Sequence, residues 1–329
     1  MAAGILAGIV SIFVNHYTGL TVGITWETML AHLRGEEYGV YYYDLIVWDY
    51  FLPQSIMAVF VGAGLAVGGA VMQTMLRNPI ADPYTTGVAS GASFGVALYL
   101  MMDIALLQMG SYNMTMTVNA MVFALIPTGA IVLISRRKNM TPTTTILAGV
   151  AVMFVFRAAT SLMTLLADPD AVEQLYMWNV GSLTQAAWDN IWFVGGMTLV
   201  CILALFAMSR QMSIMTAGEN SARSMGVRTR MVRTVALIIV AFMTAVIVGF
   251  TGTIGFMGLV APHVARVIVG SDLKKLIPCS AACGALILAF CECIAKALTA
   301  SAPIGVITAV IGGPLFIFLL IKGAKKVWY

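Results

Sequence analysis

QTMLRNPIADPYTTGVASGAS, residues Gln73 to Ser93, is a polar interruption between two long apolar runs. Its neighbours, Leu52 to Leu76 and Pro83 to Leu107, are each about one membrane span long, so the stretch reads as a water-facing turn between two spans. Asn78-Pro79 and Asp82-Pro83 push the residue before each proline out of the helical region, so the first helix ends near Arg77. Asp82 then caps the next helix, with Pro83 at its first position, where a missing N–H is harmless. Gly87, Gly91 and Gly95 recur every four residues, as do Gly64 and Gly68 upstream, and such smooth faces let helices approach closely in lipid. An ordinary loop between tightly packed spans accounts for the glycines fully and for the prolines in part. It leaves the joint occurrence of Arg77, Asn78 and Asp82 unexplained.

Outward from this stretch the chain stays apolar. Of its 329 residues 60% are hydrophobic and 10% charged, and the mean hydropathy is +0.93. That composition describes an all-α polytopic membrane protein, with no separate aqueous core to bury. Apolar runs place spans near 2–22, 52–76, 84–107, 117–135, 143–167, 190–208, 231–251, 252–269, 276–300 and 305–322, about ten in a single domain covering 1–329. An even number puts both ends on one side. The clean part of the first run, Ala2 to Val14, is short enough for a signal-peptide core but lacks a basic start and an obvious cleavage site. It reads as a helix extended past His16 to about Thr21, or as part of a chain that starts further upstream.

Lys and Arg are retained in the cytoplasm. With both termini placed there, all of the 18 basic residues except Arg34, Arg157 and Lys296 fall at the inner face. Glu27, Glu36, Glu37, Asp44, Asp49, Asp103, Asp168, Asp170, Glu173 and Asp189 fall outside. The net charge of +4 thus conceals a basic inner and an acidic outer face, and the basic face does not argue for nucleic acid. Residues 24–51, with Tyr41, Tyr42, Tyr43, Trp48 and Tyr50, suit an outer interfacial segment, since aromatic rings prefer the headgroup level; stacking on a substrate is the alternative. The cysteines Cys201, Cys279, Cys283, Cys291 and Cys293 all fall in predicted spans, where small apolar filler competes with soft-metal binding by Cys279 and Cys283. The 23 methionines lack a repeated pair spacing and read as flexible packing rather than as a copper path.

Gln73, the run Arg77-Asn78-Pro79-Ile80-Ala81-Asp82-Pro83 and Gly87-Val88-Ala89-Ser90-Gly91-Ala92 resemble the signature of the FecCD-type permeases, membrane subunits of ABC importers for iron-siderophores, haem and vitamin B12. Further matches extend the resemblance over about the last 280 residues: Gly252 to Gly270 with Pro262, His263 and Arg266, then Ser271-Asp272, Ala302-Pro303-Ile304-Gly305 and Gly312-Gly313-Pro314. The short distance between the spans on either side of Gly249 to Gly252 calls for a tight turn, which glycine supplies. His263, lone and without paired carboxylates, bonds a neighbouring backbone on one reading and serves a proton or metal on the other.

The longest cytoplasmic loop, about 210–230, carries a short helical pattern from Ala217 to Met225. Gly218, Glu219, Ala222 and Gly226, with Arg223 between them and Met225 in a leucine position, are similar to the family's coupling loop. The resemblance implies docking there into an ATPase subunit. No G-x-x-x-x-G-K-[ST] loop occurs, so ATP and magnesium belong to that partner and no cofactor is expected on this chain. The chain is therefore expected to be a transport subunit and not itself an enzyme.

The resemblance also implies a type II importer architecture in the cytoplasmic (inner) membrane. Its parts are a homodimer with the pathway on its axis, two ABC ATPase subunits inside and an extracytoplasmic substrate-binding protein outside. The fifth and tenth spans would line the route. An inner gate would lie at Asn139, Met140, Thr141, Pro142, Thr143 and Thr144. Arg157, far along the fifth span, meets an anionic chelate or a haem propionate on one reading, and snorkels or pairs structurally on the other. Glu292 and Lys296, one turn apart, can form a helical ion pair.

Where the family carries Arg-x-Pro-Arg to receive glutamates of the binding protein, this chain has Phe51-Leu52-Pro53-Gln54. Lys296 alone is left as a docking candidate at a matching outer site. The cargo expected is an iron chelate, with vitamin B12 or haem as alternatives. An ion-coupled secondary transporter is the rival class, and it would need paired mid-membrane acids or broken helices.

Overall fold

The computed structural model describes residues 31, 34–35, 45–135, 142–298 and 303–323. Within them the chain is helical throughout, without strands. A π-helical turn at Leu45–Phe51 leads into α1 (Leu52–Leu76), and a 3₁₀ turn at Pro83–Thr86 precedes α2 (Val88–Met102). Then follow α3 (Tyr112–Ser135), α4 (Pro142–Thr164), α5 (Pro169–Val180), α6 (Trp188–Ala207), α7 (Ser209–Thr216) and α8 (Glu219–Ser224). The last four are α9 (Thr229–Thr251), α10 (Met257–Val269), α11 (Leu273–Leu298) and α12 (Ile304–Gly323). Nine predicted spans coincide with helices; the first, 2–22, lies outside the described residues, as do Tyr41 to Tyr43. Among the described residues six helices are long and apolar enough to cross a membrane: α1 with its preceding turn, α3, α4, α6, α9 and α11. Helices α2 and α10 are shorter apolar helices, and α12 is apolar over Ile304–Phe318. Two helices were not foreseen, α5 and α7, both short and amphipathic.

The bundle is built around α1, which packs on α11, α10, α6 and α9. Of its most apolar stretch 78% is buried, against 11% for α4, so α1 is the axis and α4 an outer wall. Small residues permit the crossings. A Cβ on Gly62 would stand 2.3 Å from the Gly284 carbonyl oxygen, and one on Gly69 1.8 Å from that of Gly258. Without a hydrophobic drive between helices in lipid, such backbone approach supplies the dispersion contact that holds them.

The signature stretch departs from the water-facing turn expected of it. Arg77 closes α1 in the left-handed region (φ 49°), and Arg77 to Ile80 are the part that reaches the surface. From Ala81 the chain runs inward, and Asp82, Pro83 and Thr86 are buried. Pro83 lies beside Gly68, which also faces Val240. Val240 is about 16 Å along α9 from Thr229, roughly half its length. The 3₁₀ turn is therefore deep inside the bundle, and α2 begins there.

Helix α10 begins at the same level. Instead of a tight turn between two full spans, Gly252 (φ 65°) ends α9 and the next residues lead back inward, so Met257 opens a half-length helix. A Cβ on its Gly258 would stand 2.8 Å from the Asp82 carboxylate and 2.9 Å from Pro83. Phe256, in the left-handed region (φ 67°), caps α10 and seats against Gly312, where a Cβ would come within 2.6 Å of its own. A bulky residue in that region is an outlier held only by its surroundings.

At the opposite end Trp48 and Trp188 pack with ring centroids 5.2 Å apart, and the Trp188 indole donates to the Trp48 carbonyl (3.1 Å). This contact holds the turn before α1 against the start of α6.

A matched pair of substitutions tests the crossings. Gly69→Val is expected to destabilise the detergent-solubilised protein by about 3 kcal/mol or more, because backbone blocks the new side chain. Gly129→Ala, exposed and with open space around it, is expected to be neutral or stabilising by up to about 1 kcal/mol. Equal shifts in thermal midpoint would contradict this packing.

Candidate coupling site and membrane cavity

The basic end is organised by α7, α8 and the start of α9. Gly218 (φ 122°) precedes α8 and Gly226 (φ 81°) follows it, both in conformations that favour glycine. Ala222 is fully buried and anchors α8 to the core, its N–H bonded to the Gly218 carbonyl (2.9 Å). Arg223, Ser224 and Met225 face outward, Met225 being 63% exposed. A short helix anchored on one face and carrying a projecting methionine on the other is suited to enter a groove.

Glu219 ties this helix to the bundle. Its carboxylate accepts from Arg223 Nη2 (2.8 Å), Arg233 Nη2 (3.3 Å) and Thr229 Oγ1 (3.3 Å). Burial pushes its pKa up, but the Arg233 and Arg223 guanidiniums more than offset this, so the carboxyl titrates below its ordinary range. Arg233, buried near the start of α9, also donates from Nε to the Met75 carbonyl at the end of α1 (3.2 Å). Arg77 donates to the Met215 carbonyl of α7 (2.8 Å). Ser213 of α7 bonds Asp272 (3.2 Å), which precedes α11.

The signature residues thus meet the loop 210–230. Arg77 touches α7 directly, while Asn78 shapes the turn by accepting from the Ile80 N–H (3.1 Å). Pro79 is half-buried beside it. Asp82 caps the 3₁₀ turn as expected, its carboxylate accepting from the Tyr84 N–H (2.8 Å), with Pro83 following. Tyr84 in turn accepts from the Ile254 N–H (3.2 Å), and Gln73 donates to the Gly258 carbonyl (3.2 Å). These bonds join the beginnings of the two half-length helices.

Arg157 opens on a cavity of about 610 Å³. Ser90 and Ser93 of α2, Thr160, Ser161 and Thr164 of α4, and Tyr84 line it with hydroxyls. Arg157 is the one charged side chain among the described lining residues, and it stands on the most exposed of the long helices. Of the expected gate, Asn139, Met140 and Thr141 lie outside the described residues. Pro142 opens α4, and Thr143 and Thr144 follow it, exposed.

Lys296 is not at a docking surface. It is 5% exposed, ion-paired with Glu292 (3.3 Å), and lies 4.7 Å from the centre of the Phe51 ring. Phe51 thus covers the lysine from the end of the turn before α1. His263 Nδ1 bonds the Leu259 carbonyl (3.1 Å), the backbone bond expected, and its ring meets Phe316 edge-on. Arg233 carried no role in the sequence reading beyond its charge. The available signal was an arginine one turn inside an apolar helix, which demands a partner.

Comparison with known proteins agrees with this geometry. The family model of the FecCD transport family matches residues 5–322. The hemin transport system permease protein of Yersinia pestis is 34% identical over 278 residues, covering 84% of this chain and 83% of its own. The cobalamin import system permease protein of Halobacterium salinarum is 33% identical over 302 residues, covering 91% and 80%. A solved structure described as an inward-facing conformation of a metal-chelate type ABC transporter superposes with a TM-score of 0.79 at 25% identity. It covers 91% of this chain and 99% of the other.

The Glu219 network has a defined pH dependence. Because its folded pKa is lowered, its stabilisation is complete above the unfolded-state value and is lost as pH falls through the folded one. Amide exchange over 219–230, corrected for intrinsic rates, is expected to stay level from neutrality to about pH 5 and to rise only below the ordinary carboxyl range near 4.3. A rise already between pH 7 and 5 would contradict the ion pairs.

Proposed function

The chain belongs to the FecCD transport family, and on that premise we propose that this multi-pass permease of an ABC importer carries an iron chelate across the cytoplasmic membrane. A single domain spanning 1–329 crosses ten times with both termini inside, counting the first apolar run. Two copies enclose the pathway, with α4 and α12 facing it. Two ABC ATPases, holding ATP and magnesium, dock on α8. Their closure shifts the permease between two access states. This chain performs no covalent chemistry.

The observation that carries this reading is the anchored, outward-facing α8, fastened through Glu219 and Arg233 to α1. An element that must only bridge two spans needs no such fastening. Arg157, alone among hydroxyls on an exposed wall, suits transient contact with an anionic chelate. The iron chelate is the cargo the family resemblance favours, while the hemin and cobalamin relatives make haem and cobalamin the alternative cargoes, and the description of the solved metal-chelate type transporter covers all three. The binding protein would meet the acidic end, where Asp103, Asp168, Asp170, Glu173 and Asp189 lie and the positions of the family's arginines are uncharged, and its contact surface is accordingly basic.

A secondary transporter would exploit the paired starts of α2 and α10, as discontinuous helices commonly hold ions. Here one Asp82 oxygen caps Tyr84, the other packs on Gly258, and Lys296 neutralises Glu292. Glu292 is thus ion-paired, and Asp82 is committed through one oxygen to capping the turn.

Purification from native membranes in mild detergent tests the proposal. An ABC ATPase and a substrate-binding protein are expected to co-purify, and titration of that binding protein with ferric siderophore, haem and cobalamin would name the cargo. Uptake that persists without ATP and without either partner would overturn it. Within the assembled importer, Arg157→Glu is expected to lower ferric-siderophore uptake at least tenfold while Arg157→Lys retains most of it. Equal uptake by both variants would remove Arg157 from the pathway.

A further inference from the structure

An importer requires movement of α7 and α8 to reach the helices around the cavity, and that connection can be traced atom by atom. We infer that Arg233 is the positioning residue that transmits displacement of α8 to the end of α1 and so to the buried junction of α2 and α10, an inference that rests on the importer reading. Burying a guanidinium is expensive unless it is paired on several sides. Arg233 is 8% exposed and its two bonds lead to different bodies, Nη2 to Glu219 of α8 and Nε to the Met75 carbonyl of α1.

Met75 lies in the last turn of α1, where carbonyls have no helical N–H to accept from, and a cation there also opposes the negative end of the helix dipole. The guanidinium fork can hold both partners in one fixed geometry, which a lysine ammonium on a flexible stem cannot. Arg77, two residues beyond Met75, adds a second fastening through the Met215 carbonyl of α7. From Arg77 the chain runs straight to Asp82 and Pro83 against Gly258, and to Tyr84, which lines the Arg157 cavity. The path from Glu219 to the cavity wall is thus continuous, and within it, among the described residues, Arg233 bonds both α8 and α1.

Amide exchange measured in nanodiscs tests this on the wild type, Arg233→Met, Arg233→Lys and Glu219→Gln, reading residues 74–80 and 209–226 separately. In the chain alone, Arg233→Met is expected to raise exchange over 74–80 at least tenfold, and Arg233→Lys and Glu219→Gln at least threefold. Should Arg233→Met fail to fold, the two milder variants carry the test; wild-type rates at 74–80 in both would overturn the inference.

With the co-purified ATPase, ATP and vanadate are expected to change exchange in both segments of the wild type. In Arg233→Lys and Glu219→Gln the change should be confined to 209–226. A purely structural role for Arg233 would instead leave the nucleotide response at 74–80 in step with that at 209–226, and that result would also overturn it. A wild-type chain that captures no ATPase would sink the importer reading, while the first comparison would still decide whether Arg233 joins α8 to α1.

Discussion

Backbone that leaves a helix inside an apolar bundle must find its hydrogen bonds within the protein, and this chain meets that constraint twice at one place. Between α1 and α2 the peptide groups lean on local side chains and close turns. Asn78 takes the Ile80 N–H, Asp82 takes those of Tyr84 and Thr85 through side chain and carbonyl, and the hydroxyls of Thr85, Thr86 and Ser90 return to carbonyls three residues back. Between α9 and α10 the Ile254 N–H has no such neighbour and is taken by the Tyr84 hydroxyl. The two interruptions therefore support each other. Neither half-length helix could start at that depth alone.

This mutual dependence explains residues that no single helix requires. Gly69 and Gly258 are there so that α1 and α10 can touch through backbone, and Gln73 fastens the contact from α1. Gly312 leaves room for Phe256, whose strained conformation starts α10 in the required direction. Around this centre α1 and α9 are enclosed on most sides, whereas α4 turns much of its surface outward. A stiff core against a less embedded wall is a reasonable arrangement for a protein that must keep its helices packed while a passage beside them changes shape.

Much of this was legible from the residues. The helices of nine spans, the end of α1 near Arg77, the cap at Asp82, the Glu292–Lys296 pair and the backbone bond of His263 all follow from local chemistry that sequence displays directly. Depth does not. Asp82-Pro83 has the same turn signature whether it faces water or the interior, because a capping carboxylate serves equally in both. The apolar run after Pro83 was long enough to count as a full span although the helix begins only at Val88. Lys296 misled for a related reason: its charge argued for the surface, and only the fold shows Glu292 and Phe51 covering it. Arg233 was hidden because its partners lie 14 and 158 residues away.

The same distinction bears on selectivity. A site that holds its cargo tightly needs several convergent polar groups fixed in place, and binding of that strength would slow departure from a passage. The Arg157 cavity has hydroxyls, of which those of Ser90, Thr160 and Thr164 donate to nearby backbone carbonyls and offer their oxygens to the cavity, and one guanidinium on a long stem, a lining that favours negative charge and polar surface. Iron chelates and propionate-bearing haem share those properties, and cobalamin shares the size and polarity. On the importer reading, such a lining passes whatever is delivered and drives none of it back by mismatch. On that reading discrimination among the three requires contacts this wall does not provide, and the proposed meeting of a binding protein with the acidic end is where they would act.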